Sequence, residues 1–211
     1  VYGSHWAWAL KGGAHAVARD LIAAGKIRPL ALAMPSDGLW GDGSGYLTHR
    51  TADYERWVVE DVPALLREQV PAVSENSPLF LAGLSMGGYG ALRLGAKYAE
   101  RFRGVSGLSS ITRFEELGAF FENADLSLLR AEGVAEENVL DVLLENRDRL
   151  APFRFDCGVA DPLVASNRTL HRQLTDAGIP HTYFEYPGGH EWPYWHRHLG
   201  DTLWFFNSLL S

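Results

Sequence analysis

The segment Gly83-Leu84-Ser85-Met86-Gly87 places a serine between an apolar run and a helix-forming segment. Residues 78–82 predict a strand and residues 89–96 a helix, so the serine falls on a sharp strand-to-helix turn. Glycines two residues before and after the serine remove Cβ atoms that would collide in such a turn. The pattern indicates a nucleophile elbow, with the serine at a helix N-terminus that can stabilise an oxyanion. A strand-to-helix turn without chemistry is the alternative.

Strand-like and helix-like segments alternate along the chain. This alternation predicts an α/β fold with a mostly parallel sheet and helices on both faces. Pro63 is expected to bend or interrupt the helix in which it lies. The predicted strands are 29–35, 78–82, 102–108, 153–158 and 181–186, and the predicted helices are 14–24, 52–69, 89–96, 163–177 and 194–210.

The segment 111–150 interrupts this alternation. It contains ten acidic and four basic residues, and it has helical segments but no strand pattern. We interpret it as an acidic lid inserted into a single domain that spans residues 1–211.

Composition excludes several classes of protein. The net charge is −7, and no basic stripe is present that could hold a phosphate backbone, which argues against nucleic-acid binding. No apolar run reaches membrane-spanning length. The single cysteine, Cys157, lies in a strand-like apolar segment and is interpreted as a core residue; it excludes an internal disulfide and slightly favours the cytoplasm. The sequence leaves a homo-oligomer open.

A serine nucleophile needs a histidine base and a carboxylate that orients the histidine. Asp161 follows the strand 153–158, and His190 follows the strand 181–186. The order Ser85, Asp161, His190, with the last two on loops at the carboxyl ends of strands, is the order expected for this architecture. The three residues are therefore predicted to form a catalytic triad.

Each of these residues also has a structural interpretation. Asp161 precedes a helix and could cap it. Asp156 is a rival acid, although it should lie within a strand and out of reach of the histidine. His190 could be an ordinary loop residue, but the preceding Pro-Gly-Gly turn suits an exposed, mobile imidazole. His196 and His198 should point in different directions from one helix, so we predict no metal site and no cofactor.

Three longer motifs make the sequence similar to a known family. Residues 83–91, 156–161 and 187–192 resemble the putative esterase family of α/β-hydrolases. That family includes esterase D, which is the S-formylglutathione hydrolase, tributyrin, feruloyl and acetyl-xylan esterases, and mycolyltransferases. The resemblance covers almost the whole chain and implies an α/β-hydrolase fold with a Ser-His-Asp triad acting on a small-molecule carboxylic ester.

The resemblance also implies two oxyanion donors. The backbone N–H of Met86 should be one of them. The second follows a His-Gly or Asp-Gly pair at the end of an earlier strand in the family, which would place it at Val1. Because the pair itself is not in the sequence, we expect that N-terminal strands of the sheet are missing upstream of Val1.

Aromatic residues near the predicted site are candidates for substrate contacts, although packing under the loops is an equally good explanation for each. The tryptophan-rich segment 3–8 is interpreted as a loop. The candidates are His5, Trp6, Trp40, Tyr46 and Trp192.

The predicted function is a serine carboxylesterase for short-chain acyl or carbohydrate-linked esters, working through an acyl-enzyme. The alternatives are an acyltransferase of the mycolyltransferase type, which uses the same acyl-enzyme, and a thioesterase of the S-formylglutathione hydrolase type. A non-catalytic binding protein on the same scaffold is disfavoured because all three triad residues are present.

Overall fold

In the part of the chain that the structure describes, four parallel strands form the sheet, and they lie side by side in the order in which they occur along the chain. The computed structural model describes residues 5–37, 43–120 and 137–210. Because the strands are parallel and run in the same direction, their carboxyl ends all lie at one edge of the sheet. The strands are β1 Phe80–Leu84, β2 Gly104–Leu108, β3 Phe153–Gly158 and β4 Thr182–Tyr186.

Helices connect and cover these strands. In chain order the α-helices of the described ranges are α1 His5–Leu10, α2 Ala14–Ala23, α3 Tyr54–Arg56, α4 Val62–Gln69, α5 Met86–Lys97, α6 Val139–Glu145, α7 Val164–Asp176 and α8 Trp192–Ser208. Short 3₁₀ helices span Ala99–Arg101 and Phe114–Phe120. Within those ranges, none of the helices has the length and apolar character that crossing a membrane would require.

The predicted interruption at Pro63 takes the form of a π-helical turn. Trp57–Asp61 is π-helical and joins α3 to α4, and Pro63 lies in the first turn of α4. Proline has no N–H to donate and its ring crowds the preceding turn, so a local widening of the helix accommodates it.

Both faces of the sheet are covered, as the alternation predicted. In β3, Phe155 and Cys157 belong to the main core, which also contains buried residues of α5, α6 and α7. Arg154 and Asp156, on the opposite face, hydrogen bond to Thr202 and Tyr194 of α8. Helix α8 also packs against α2. A strand buried on both faces must carry apolar or fully paired side chains on each side.

The prediction of a strand at residues 29–35 was wrong. Residues 28–37 form no strand, and Leu30 in that segment is 39% exposed. Among the described residues β1 pairs only with β2, and a cavity of about 420 Å³ is lined by both β1 and this segment. Strand hydrogen bonds need a neighbouring strand, and none of the described strands pairs with this segment.

The segment 111–150 contributes to the body of the domain at its described ends. Ile111, Leu117, Val139 and Leu143 are buried in the main core. Helix α6 packs against α5 and α7, which places the end of the segment in the helical layer of the fold. Residues 121–136 lie outside the described residues, and the lid interpretation stays a prediction.

Candidate active site

Of the two glycines that flank the predicted elbow, only Gly83 lies where an added Cβ atom would collide; a Cβ atom added to Gly87 would meet no atom outside its own helix closer than 3.8 Å. Ser85 has φ 54° and ψ −119°, a conformation that a residue with a side chain rarely adopts. A Cβ atom added to Gly83 would lie 2.0 Å from the carbonyl oxygen of Gly87. The strand can therefore turn into α5 within this distance only because residue 83 is glycine.

The loop after β2 holds the elbow in place. The Ser85 amide donates to the carbonyl of Leu108 over 2.9 Å, and the Ile111 amide donates to the carbonyl of Ser85 over 3.2 Å. The strained serine backbone is therefore fixed on both sides by residues of the neighbouring loop. A conformation of this kind persists only when the surrounding structure determines it.

The three residues predicted as a triad lie in hydrogen-bond contact. Nε2 of His190 is 2.9 Å from Oγ of Ser85, and Nδ1 of His190 is 2.9 Å from Oδ2 of Asp161. An ionised carboxylate can only accept, so Nδ1 carries the proton that it donates to Asp161. In the neutral ring Nε2 then has a free lone pair, and the Ser85 hydroxyl donates to it. This is the arrangement in which an imidazole can remove the serine proton.

Asp161 makes both contacts considered from the sequence, one as a cap of the following helix and one with His190. Its Oδ1 accepts the backbone N–H of Leu163 over 2.8 Å at the start of α7, while Oδ2 faces the histidine. Burial would raise the pKa of Asp161, but hydrogen bonds from His190, from the Leu163 amide and from Ser109 outweigh it and hold the pKa below its usual range. Asp161 is therefore a carboxylate at neutral pH.

His190 is less exposed than the preceding Pro-Gly-Gly turn suggested. Its side chain is only 19% exposed because two aromatic rings enclose it. The Trp195 ring stands perpendicular to the imidazole with 4.9 Å between centroids, and the Phe120 ring lies 5.6 Å from it on a tilted plane. The expectation of an exposed imidazole was wrong because α8 brings Trp195 against the loop.

Met86 is the first residue of α5, directly after Ser85. The first four N–H groups of an α-helix have no carbonyl partner inside the helix, and the helix dipole is positive at that end. The Met86 amide thus directly follows Ser85 at the positive end of the α5 dipole, and its role as an oxyanion donor stays a prediction. Val1, the other predicted donor, lies outside the described residues.

The predicted substrate-binding aromatics fall into three groups. Tyr46 packs its ring on Gly90 of α5, one helical turn from the elbow, and Trp192 lies between the rings of Trp8 and Trp195. His5 and Trp6 belong to α1 and not to a loop; their rings contact each other, and Trp6 is 61% exposed. Trp40 lies outside the described residues.

The rival acid and the other histidines have separate partners. Asp156 lies inside β3 and binds Arg154 and the Tyr194 hydroxyl. His196 contacts the carbonyl of Gly12, and His198 contacts Asp201. In residues 5–37, 43–120 and 137–210, no three His, Cys, Asp or Glu side chains are grouped to hold a metal ion.

Three neighbours of the triad were not identified from the sequence. The rings of Trp195 and Phe120 contact His190, and Ser109 accepts a hydrogen bond from the Trp195 indole. Ser109 follows a buried strand directly, and a polar residue at the carboxyl end of a parallel strand was the one usable signal. Trp195 and Phe120 come from a helix face and from the segment 111–150, whose packing no local pattern specifies.

Comparisons with known proteins agree with this geometry. Residues 8–206 match the family model described as "Putative esterase". An acetyl esterase from Caldicellulosiruptor saccharolyticus is 29% identical, with 82% of this chain and 70% of that protein covered. An esterase from Mycobacterium tuberculosis is 26% identical over 82% of this chain, which spans only 43% of that protein.

Solved structures show the same fold at lower identity. A ferulic acid esterase has a TM-score of 0.78 and 24% identity, with 100% of this chain and 82% of that chain covered. An S-formylglutathione hydrolase from Staphylococcus aureus has a TM-score of 0.80 and 17% identity, with 98% and 80% covered. The family match confirms the resemblance inferred from the three motifs: this chain belongs to the putative esterase family of α/β-hydrolases and is a carboxylic ester hydrolase.

Proposed function

We propose that this protein is a serine carboxylesterase that hydrolyses short-chain acyl or carbohydrate-linked esters through a covalent intermediate on Ser85. The observation that carries the proposal is the pair of 2.9 Å contacts that joins the Ser85 hydroxyl, the His190 imidazole and the Asp161 carboxylate in series. A serine hydroxyl becomes a nucleophile only when an adjacent base takes its proton, and this series supplies the base and its orienting acid.

In the acylation step, Oγ of Ser85 attacks the ester carbonyl carbon while Nε2 of His190 takes the hydroxyl proton. The imidazolium that forms is stabilised by the Asp161 carboxylate. Collapse of the tetrahedral intermediate breaks the bond to the alcohol, and the imidazolium returns the proton to the leaving oxygen. The products of this half-reaction are a free alcohol and an ester of Ser85.

In the deacylation step, His190 removes a proton from water, and the hydroxide attacks the acyl carbon. The carboxylic acid leaves, and the proton returns to Ser85. In both steps the negative charge on the former carbonyl oxygen is adjacent to the Met86 amide at the N-terminus of α5. One such donor contributes about 10²–10³-fold to the rate.

The proposed substrate class has two grounds, the names of the relatives and the aromatic side chains around the site. The name of one relative, the acetyl esterase, specifies an acetyl ester, and the name of the ferulic acid esterase specifies an aromatic acid. Phe120, whose ring lies beside His190, and Trp192, whose ring packs against Trp195, are partly exposed and provide apolar surface suited to a short acyl group or an aromatic acid.

Hydrolysis of p-nitrophenyl acetate and butyrate tests the proposal. Ser85→Ala should lower kcat by about 10³-fold or more, since its hydroxyl is the nucleophile. Ser110→Ala is the matched control, because this hydroxyl is buried, lies in the neighbouring loop and has no hydrogen-bond partner among the described residues. Equal rates for wild type and Ser85→Ala would refute the proposal.

A further inference from the structure

We propose that Gly158 is a positioning residue for the triad, because the absence of a side chain there lets two catalytic loops lie directly against each other. These are the acid loop, residues 159–161, which ends in Asp161, and the histidine loop, residues 187–190, which ends in His190. The inference rests on the proposed roles of Asp161 and His190. It concerns the backbone that holds them and leaves the chemical steps unchanged.

Backbone hydrogen bonds join the two loops beyond the ends of β3 and β4. The Val159 amide donates to the carbonyl of Tyr186 over 2.9 Å, and the Ala160 amide donates to the carbonyl of Gly188 over 2.9 Å. The pairing of the two strands thus continues into the segments that follow them. The acid loop and the histidine loop are therefore held together independently of the side chains of the triad.

This contact is too close for a side chain at Gly158. A Cβ atom added there would lie 2.4 Å from the carbonyl oxygen of Gly188 and 3.2 Å from the amide nitrogen of Gly189. Both are backbone atoms, so no side-chain rotation can relieve the collision. Ordinary van der Waals contact begins at about 3.4 Å, so an alanine at residue 158 would push the loops apart by about 1 Å.

The histidine loop has a second close neighbour in the ring of Tyr194. Gly188 has φ 138°, which favours glycine, and a Cβ atom added to it would lie 2.7 Å from Cδ2 of Tyr194. The Tyr194 hydroxyl donates to Oδ1 of Asp156 in β3 over 2.8 Å, and this side chain is buried. The backbone at Gly188 therefore contacts both the end of β3 and a ring that is bound to β3, and its position is restricted by both.

The separation of the loops determines the contact between the acid and the base. Nδ1 of His190 lies 2.9 Å from Oδ2 of Asp161, and His190 is two residues beyond the carbonyl that the Ala160 amide binds. A hydrogen bond is lost when its atoms move about 1 Å further apart, and a misplacement of that size can cost about 10²-fold in rate. The missing side chain at Gly158 thus keeps the imidazole within reach of its carboxylate.

Gly158→Ala tests the inference, with two other glycine variants as controls. It should lower kcat for p-nitrophenyl acetate by about 100-fold and leave KM within about threefold, because the triad moves while the aromatic side chains stay. Gly189→Ala is adjacent to His190, but its Cβ would meet no atom closer than 3.7 Å, so kcat should stay within about twofold. Gly95→Ala in α5 would place its Cβ 2.4 Å from Cγ2 of Val105, so it should lower the urea midpoint and keep the kcat of the folded enzyme within about twofold.

A spectroscopic signal separates a displaced loop from a general loss of stability. The ¹H NMR resonance of the His190 Nδ1 proton, which lies in the bond to Asp161, reports on the distance between these two side chains. It should move in Gly158→Ala and keep its wild-type position in Gly189→Ala and Gly95→Ala.

A second change weakens the same contact without adding bulk, and it tests the inference even if Gly158→Ala fails to fold. Replacement of Ala160 by lactic acid keeps the methyl group and turns the amide that binds Gly188 into an ester, which has no N–H to donate. The value of kcat should fall by about 2–10-fold, the effect of one net hydrogen bond, and the Nδ1 resonance of His190 should move.

Wild-type kcat, or an unmoved Nδ1 resonance, in folded Gly158→Ala would overturn the inference. Wild-type kcat and resonance in the lactic acid protein would also overturn it, as would a loss of kcat in Gly95→Ala as large as that in Gly158→Ala. Failure of the proposed function would look different: Ser85→Ala would hydrolyse the ester as fast as wild type, whereas failure of this inference leaves Ser85→Ala inactive.

Discussion

Steric limits at single residues determine the shape of the elbow. The strand β1 and the helix α5 approach so closely that residue 83 has no room for a side chain, and Ser85 and Ser109 both adopt positive φ angles on either side of the site. Such angles are rare outside glycine and concentrate at functional sites. One of these two serines, Ser85, is the residue to which we assign the nucleophile.

Gly83→Ala should be strongly destabilising. The added Cβ would lie 2.0 Å from a backbone oxygen that cannot move without opening the elbow, so the free energy of unfolding should fall by about 3 kcal/mol or more. Gly200→Ala in α8 is the control, because its Cβ would meet no atom closer than 3.9 Å and alanine favours a helix. Urea unfolding measures both, and equal midpoints for the two variants would contradict the steric argument.

The elements around the site differ in how much their own sequences predict. The strands β1 to β4 and the helices α2, α5, α7 and α8 follow from apolar runs and capping signals, and the three triad residues follow from their place after strands. The segment 29–35 has the same apolar pattern but forms no strand, because strand formation depends on a neighbour and not on composition. The contacts of Trp195 and Ser109 could not be predicted for the same reason, because they join parts of the chain that are far apart in sequence.

Helices α3 and α5 are joined by a buried ion pair. Glu55 is only 5% exposed; its Oε2 lies 2.8 Å from Nη1 of the completely buried Arg93, and its Oε1 accepts from Tyr98 and Lys97. Burial would raise the pKa of Glu55, but the charge of Arg93 and these hydrogen bonds hold it below the ordinary value of 4.5. A group with a depressed pKa stabilises the fold above its unfolded pKa and loses that contribution as the pH falls through the folded pKa.

Glu55→Gln should therefore lower the free energy of unfolding at pH 7 by about 2–4 kcal/mol, because it leaves Arg93 with less charge compensation. The difference from wild type should shrink as the pH falls below 4.5, because Glu55 takes up a proton first in the unfolded chain and only at lower pH in the folded protein. Glu60→Gln, whose side chain is 47% exposed, should cost less than about 1 kcal/mol. A penalty for Glu55→Gln that does not change with pH would contradict the assignment.

Charge is a property of the whole molecule. The chain carries a net charge of −7, of which −6 lies between residues 111 and 150. This imbalance of charge follows from the sequence alone. The part of the surface on which the resulting electrostatic field acts depends on the fold. A negative field lowers the local concentration of anionic substrates and slows their encounter with the site.

Esters with an anionic alcohol group should therefore have a lower kcat/KM than neutral esters of the same acid. The gap should narrow as the ionic strength rises from about 0.01 to 0.15 M, since the screening length falls from about 30 Å to about 8 Å over that range. Steady-state kinetics with a neutral and a sulfonated phenyl acetate at several salt concentrations measures the ratio. A ratio that does not respond to salt would contradict electrostatic exclusion.

We assign the nucleophile to Ser85, the serine in contact with His190. Intact-mass spectrometry after treatment with a fluorophosphonate ester, followed by peptide mapping, measures this directly. We expect one adduct on Ser85 in wild type and in Ser110→Ala, and no adduct in Ser85→Ala. Labelling of another residue in wild type, or labelling of Ser85→Ala at the wild-type rate, would show that Ser85 is not the nucleophile.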